Sequence, residues 1–301
     1  MYKKSAVLTF YAETPIHMGS GQSVSYVDLP IQRERHTSFP VLWSSGIKGV
    51  IRDLASRVWN DKDKVETIFG PEDGGSDFAS CISITDAKIL LYPVRSVKGV
   101  FAWITCPFVL KRFKEDLNAV GINFKYSNQD IRILDVPDDK VFIASDNLKI
   151  QGQNSVALEE FVFEAEVKNE VKELADFLKN FVHQNDLTTD LRNHLAIVSD
   201  NVFKDFVNYA VEIRTRIRID QTKGTVKEGA LFSEELIPSE SVFYSILFFK
   251  DSFKPGSNMD AQKVFSEINS LLSDNSILQL GGDETTGKGF VRVKVFNGGQ
   301  T

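Results

Sequence analysis

The run Ser241-Val242-Phe243-Tyr244-Ser245-Ile246-Leu247-Phe248-Phe249 is rich in β-branched and aromatic residues and free of glycine and proline, so it reads as a strong strand. After it, Asp260 to Leu272 carries apolar residues at helical spacing, and Phe290 to Phe296 returns to strand character. The same order stands at the other end of the chain. Ala6 to Ala12 reads as a strand ending before Thr14-Pro15. Ser44 or Ser45 can cap a helix to about Trp59, with Ile47, Val50, Ile51, Leu54 and Val58 on one stripe and Lys48, Arg52 and Arg57 off it. A further strand follows at Cys81 to Leu91. Strand, helix and strand at both ends predict an α+β protein with a ferredoxin-like (RRM-like) core, its helices on one face of an antiparallel sheet.

Between these two units the pattern is looser. Val65 to Phe69 suits a short helical turn, and Asp73-Gly74-Gly75-Ser76 an exposed connection. A strand at Val100 to Thr105, a helix at Phe108 to Leu117 and a strand at Glu160 to Val167 precede helical pieces from Glu170 to Val207, broken around Asn185 and Asp200. Residues 106–208 therefore read as an insertion within one domain spanning 1–301. Tyr209 to Ile219 alternates like a strand, and the polar segment after it, with Gly224 and Gly229, predicts a hairpin over about 220–236.

Composition bounds the function. With 301 residues, 42% of them hydrophobic, the chain can bury a large core, so disorder is not expected. No apolar run is long enough to cross a bilayer and no signal-peptide pattern is visible, which predicts a cytoplasmic protein without a membrane partner. A formal net charge of −6 excludes a protein that coats nucleic acid by bulk electrostatics, but a local basic groove remains open. Cys81 and Cys106 sit in apolar surroundings and read as small core residues, neither ligands nor nucleophiles.

Candidate chemistry concentrates in residues 13–43, too interrupted by Pro15, Gly19, Gly21, Pro30 and Pro40 to be one regular element. His17 stands beside glycines whose backbone can approach a phosphate, and eleven positions later comes Asp28, followed by Arg33, Arg35 and His36. A carboxylate among cations suits in-line attack of an RNA 2′-hydroxyl on the adjacent phosphate, with Asp28 holding a divalent ion or accepting a proton. Locally the plainer reading stays open: Asp28 caps a turn and His17 makes one buried hydrogen bond.

Gly282-Asp283-Glu284-Thr285-Thr286-Gly287-Lys288-Gly289 has the glycines and Gly-Lys of a nucleotide-binding loop, but Gly289 replaces the required Ser or Thr and a strand follows where a helix must open. ATP hydrolysis is not expected. Gly282, Thr286, Gly287 and Lys288 can still meet an RNA phosphate, or form only a tight connection. Arg214, Arg216 and Arg218 alternate along a strand as a phosphate track or a solvated face. Lys223, Lys227, Leu231 and Phe232 stand on the predicted hairpin, either wedging between bases or folding on the core.

Several of these stretches together resemble a known family. They are His17-Met18-Gly19-Ser20-Gly21, Val27-Asp28-Leu29-Pro30-Ile31-Gln32-Arg33-Glu34-Arg35-His36-Thr37, Ser45-Gly46-Ile47-Lys48-Gly49 with Arg52, and Phe69-Gly70-Pro71. Pro93 to Ser96, Gly99 to Pro107, Ala230 to Glu235 and the glycine-rich Leu280 to Gly289 continue the match nearly end to end. The pattern resembles the repeat-associated RNA-binding (RAMP) superfamily, specifically the repeated backbone subunit of the type III-B CRISPR (Cmr) effector complex. The glycine-rich loop marks only the superfamily, whereas the Asp28 run is specific to this subunit. Ile47 stands where the family often has Leu, a change that conserves volume and leaves the helix intact.

The resemblance implies a metal-dependent, RNA-guided endoribonuclease that stacks with copies of itself and with other Cmr subunits along a CRISPR guide RNA and cuts complementary target RNA. It implies Asp28 as the catalytic and metal-holding carboxylate, with Mg or Mn as the ion, and His17 and one of Glu234 or Glu235 at the same site. It implies Lys48 and Arg52 on a helix facing the guide backbone, and the hairpin as a thumb that interrupts the guide–target duplex. The alternative is a non-catalytic scaffold that positions target RNA for another subunit's nuclease.

Overall fold

The computed structural model describes residues 2–23, 27–72, 77–220 and 222–298, and for 227–230 the backbone alone. The Asp73–Ser76 connection and the Lys227 side chain fall outside the described residues. The chain opens with β1 (Lys4–Ala12) and, after an irregular stretch, β2 (Val41–Leu42), α1 (Ser44–Trp59) and α2 (Lys62–Phe69). Next come β3 (Ile82–Ile84), β4 (Ala87–Arg95), β5 (Phe101–Thr105) and α3 (Pro107–Ala119), which starts on a proline.

The middle of the chain holds β6 (Lys125–Tyr126), β7 (Gln129–Asp130), β8 (Lys140–Ile143), β9 (Ser155–Leu158) and β10 (Phe161–Val167). It goes on through α4 (Asn169–Leu178), α5 (Asp186–Thr189), α6 (Leu191–His194), β11 (Leu195–Ile197) and α7 (Asp200–Tyr209). The last part is β12 (Glu212–Ile219), β13 (Val226–Leu236), β14 (Val242–Phe249), α8 (Ala261–Asp274), β15 (Ile277–Gln279) and β16 (Phe290–Asn297).

One sheet runs β15-β16-β1-β14-β4-β5-β11-β8-β10-β9, with β2 beside β4 and β3 beside β14. From β15 to β5 it is antiparallel as expected, but β11 pairs parallel to β5 and β10 parallel to β8, so the sheet is mixed. The parallel pairs arise because β8 to β11, from the expected insertion, continue this sheet instead of standing apart.

The expectation of helices on one face also needs correcting. Every residue of β1 is buried, which requires cover on both faces. Lys4 lies over the Phe265 ring of α8, and its partner Phe249 packs on the same ring. Thr9 and its partner Tyr244 face the other way, to the Phe181 carbonyl and to Phe113 of α3. A Lys64–Glu267 ion pair joins α2 to α8, and α1 packs on α2. Cys81 and Cys106 are fully buried, as their surroundings predicted.

Three local expectations change for identifiable reasons. Neither Ser44 nor Ser45 caps α1: Trp43 occupies that position without a side-chain bond, and the Asp86 carboxylate accepts from the Ser44 N–H at 2.7 Å. Thr85 and Asp86 therefore separate β3 from β4, where one strand was expected from Cys81 to Leu91. Val58 leaves the apolar stripe and is 48% exposed, in the last turn before Asn60. Among the described residues no helix is long and apolar enough to cross a membrane.

Strands β12 and β13 form a separate two-stranded sheet, in register from Glu212 opposite Leu236 to Ile217 opposite Leu231. At its turn the Asp220 carboxylate accepts from the Thr222 and Lys223 N–H groups. Ile213, Ile217, Ile219 and Leu231 are exposed on it.

Candidate active site

Several main-chain bonds hold the described part of the punctuated stretch after β1. Ile16 exchanges both backbone bonds with Ile237, just beyond β13. Ser20 N–H donates to Pro30 and Gln32 N–H to Met18, which lays residues 28–33 beside 18–20 as a strap. On its other side Leu29 N–H donates to the Ser233 carbonyl and Glu235 N–H to the Leu29 carbonyl, each at 3.0 Å. The strap is thus a short parallel addition to the root of the hairpin.

This placement brings Asp28 to Ser233. Asp28 Oδ2 accepts from the Ser233 N–H at 2.7 Å and from the Ser233 hydroxyl at 2.9 Å, while Asp28 N–H donates to the same Oγ at 3.1 Å. The Ser233 N–H and then its hydroxyl hold the exposed Asp28 carboxyl below its ordinary value. Gln22, Ser23, Asp28, Leu29, Leu231 and Phe232 line one open groove, so two expected hairpin residues share a surface with the expected catalytic one.

The other residues expected beside Asp28 are buried. His17 is 8% exposed and its Nδ1 donates to the Glu235 carbonyl at 2.8 Å, the single buried hydrogen bond foreseen as the plainer reading. Its carbonyl accepts from the Gly282 N–H, and a Cβ on Gly281 would stand 2.3 Å from that carbonyl oxygen. Glu235 accepts from the Ile31 N–H at 2.9 Å and pairs with Arg33, which also donates to the Ser38 and Val207 carbonyls. Arg33 is therefore an internal brace, where a phosphate contact was expected.

Successive strand residues point to opposite faces, so Glu234 looks the other way from Glu235. It is 1% exposed and shares Arg216 with Asp283 of the glycine-rich loop. Burial pushes the Asp283 carboxyl up, but the bond from Arg216 leads the effects that hold it below its ordinary value. Neither glutamate is a free carboxylate in the groove. Asp283 and Ser233 were not singled out from sequence, since only the fold brings them to Arg216 and Asp28.

The basic residues divide. Arg214 pairs with Glu212 and Arg216 with two carboxylates, so the three arginines of β12 do not form an open track. Lys288, in the loop expected to offer backbone amides to RNA, is 8% exposed. Gly282 and Thr286 are exposed and Gly287 half-buried. Arg35 and Lys223 are exposed, and Phe232 lies under the Arg216 guanidinium. On α1, Arg52 donates to the Gly70 carbonyl. Burial pushes the Lys48 ammonium down, and the charges of Arg52 and Lys250 add to it. Among the described residues none of these three forms an ion pair, so an anion on them would relieve the repulsion; Lys250 has no local signal in the sequence.

No cluster of three His, Cys, Asp or Glu side chains suited to a metal ion is present among the described residues. A lone carboxylate such as Asp28 fits a hydrated Mg or Mn ion, which keeps several waters and takes remaining ligands from phosphate.

Known proteins match this chain end to end. The model of the RAMP superfamily matches residues 9–292. A "CRISPR system Cmr endoribonuclease Cmr4" from Pyrococcus furiosus is 39% identical over 306 residues, covering 99% of each chain. A crystal structure of oligomeric Cmr4 from the same organism superposes with a TM-score of 0.74 at 33% identity, covering 99% of this chain and 100% of that one. A chain of a type III-B Cmr-beta complex in its apo state, seen by cryo-EM, has a TM-score of 0.74 at 27% identity over 98% of both chains.

Proposed function

This chain belongs to the RAMP superfamily and, within it, to the Cmr4 family, and from that premise we propose that it is a guide-RNA-binding filament subunit of a type III-B CRISPR effector. In that role it cleaves complementary target RNA at regular intervals, in the cytoplasm, alongside copies of itself and other Cmr subunits. The observation that carries the reading is the Asp28 carboxylate, exposed and anchored to Ser233 at the foot of the hairpin, in a groove shared with Leu231 and Phe232. β1-α1-β4 and β14-α8-β16 are the halves of a ferredoxin-like core, residues 106–208 its insertion, and the β12–β13 hairpin its thumb.

The guide supplies sequence specificity by base pairing, so the protein needs only backbone contacts and a means of exposing one phosphate. Lys48 and Arg52 hold the guide backbone, with Lys250 supporting the same positive patch. Leu231 and Phe232 enter the duplex and part the bases beside Asp28. At the exposed phosphate the 2′-hydroxyl loses its proton to water and its oxygen attacks, the bond to phosphorus forming as the bond to the 5′-oxygen breaks; the 5′-oxygen takes a proton from water, leaving a cyclic phosphate and a 5′-hydroxyl.

The depressed pKa of Asp28 favours one of its two possible roles. A carboxylate ionised throughout the neutral range is a weak proton acceptor but a good anchor for positive charge. Asp28 would hold a divalent Mg or Mn ion, which when bound offsets negative charge on the reacting phosphate. The buried His17, Glu234 and Glu235 act on the strap and the hairpin root, not on RNA.

The test is target cleavage by a complex assembled with Asp28→Ala. Loss of cutting with guide and target binding retained is the expected result. Unchanged cutting would favour the scaffold role, with another subunit as the nuclease.

A further inference from the structure

We infer that Ser233 is the positioning residue of Asp28: its main-chain N–H and its hydroxyl hold one carboxylate oxygen and leave the other for the reaction. This rests on the proposed role of Asp28. Both donors end on Oδ2, at 2.7 and 2.9 Å, and Asp28 N–H returns a bond to the Ser233 hydroxyl oxygen. The exchange closes a small ring that fixes the side-chain torsions of a residue otherwise exposed on a loop. Among the described residues both bonds from Ser233 end on Oδ2 and none ends on Oδ1, which makes Oδ1 the atom proposed to meet an ion. Holding a reacting group in one geometry before substrate arrives is a large part of what a site supplies.

The chemistry requires a hydroxyl at position 233. Alanine keeps the N–H bond to Oδ2 but loses the bond from the hydroxyl and the acceptor for Asp28 N–H. Threonine keeps both and suits a strand. The groove beside Asp28 is otherwise lined by Gln22, Ser23, Leu29, Leu231 and Phe232, none of which titrates near neutrality. The charged groups of the flanking elements are mutually engaged: Arg33 with Glu235, and Arg216 with Glu234 and Asp283, with His17 beside Asp283.

Complexes carrying Ser233→Ala, Ser233→Thr or Asp28→Ala are compared by single-turnover target cleavage, by target binding and by thermal unfolding. Ser233→Ala is expected to cut about 10-fold more slowly, as when the partner orienting a reacting ligand is removed. Target binding should hold, and Ser233→Thr should recover most of the rate. An unchanged rate in Ser233→Ala overturns the proposal. So does equal slowing in Ser233→Thr accompanied by a lowered melting temperature in both variants, which would mark a structural role. If Asp28→Ala itself cuts normally, the assignment of Asp28 has failed instead.

Discussion

Arg33 closes on Glu235 in an ion pair that fastens the strap bearing Asp28 to the root of the hairpin. The arginine side chain is 19% exposed and the glutamate 9%, and the same guanidinium reaches the Ser38 and Val207 carbonyls. Arg33→Ala strands a nearly buried carboxylate and should cost roughly 2–3 kcal/mol in denaturant unfolding of the chain. Arg33→Lys should recover only part of this, since a point charge cannot span three acceptors. A loss within about 0.5 kcal/mol, typical of a surface residue, would show the brace to be idle.

Glu34, next along the strap, is gripped by both ends of the Arg112 guanidinium on α3 and by Thr37. Burial pushes its carboxyl up, but Arg112 and Thr37 hold it below its ordinary value of 4.5. A depressed folded-state pKa means stability that is complete above pH 4.5 and lost as pH falls through the lower folded value. Glu34→Gln should therefore melt earlier than the natural chain at neutral pH, and the difference should shrink below pH 4.5. A constant difference down to pH 3 would contradict the linkage.

Gly281 adopts φ of +87° with the His17 carbonyl pressed against it. A methyl group there meets both a strained backbone and a collision, so Gly281→Ala should lose roughly 1–3 kcal/mol. Gly224, at φ +66° with nothing near its added carbon, should lose less on the same change. Equal melting temperatures for the two variants would sink this ranking.

A chelator added to the loaded complex should stop cutting while the target stays bound, because the proposed ion would act on the reacting phosphate and not on base pairing. Gel retardation and product analysis in parallel read the two effects separately. Full cutting in chelator would remove the divalent ion from the mechanism.

Trimming residues 224–232 removes the hairpin tip with Leu231 and Phe232 but leaves Ser233. Target cuts should disappear or move, with guide binding kept. A normal ladder of products would show that the groove is open to RNA without a wedge.

The apolar patterns made β1, α1, β14, α8 and β16 legible, because their buried faces are written in consecutive residues. What escaped was set by partners far along the chain. The cap of α1 is Asp86, which no reading of Ser44 reveals. Short β11, lodged between helices, joins the sheet only because β5 and β8 lie on either side of it. Within the site the Asp28 run was legible, but Arg33, Glu234, Glu235 and Lys288 carry the same signal whether they meet RNA or one another. Only burial and pairing separate those uses.

The bonds between Leu29 and the Ser233 and Glu235 backbones turn the strap and the hairpin into a single lever. Phe232 and Ser233 are neighbours in one strand, so the residue proposed to part the duplex and the residue proposed to steady the carboxylate would swing together. Bending the hairpin would carry Asp28 with it. On the proposed roles, the spacing between opened bases and severed bond would be a constant of the subunit, and phase errors along the target would arise from how copies stack.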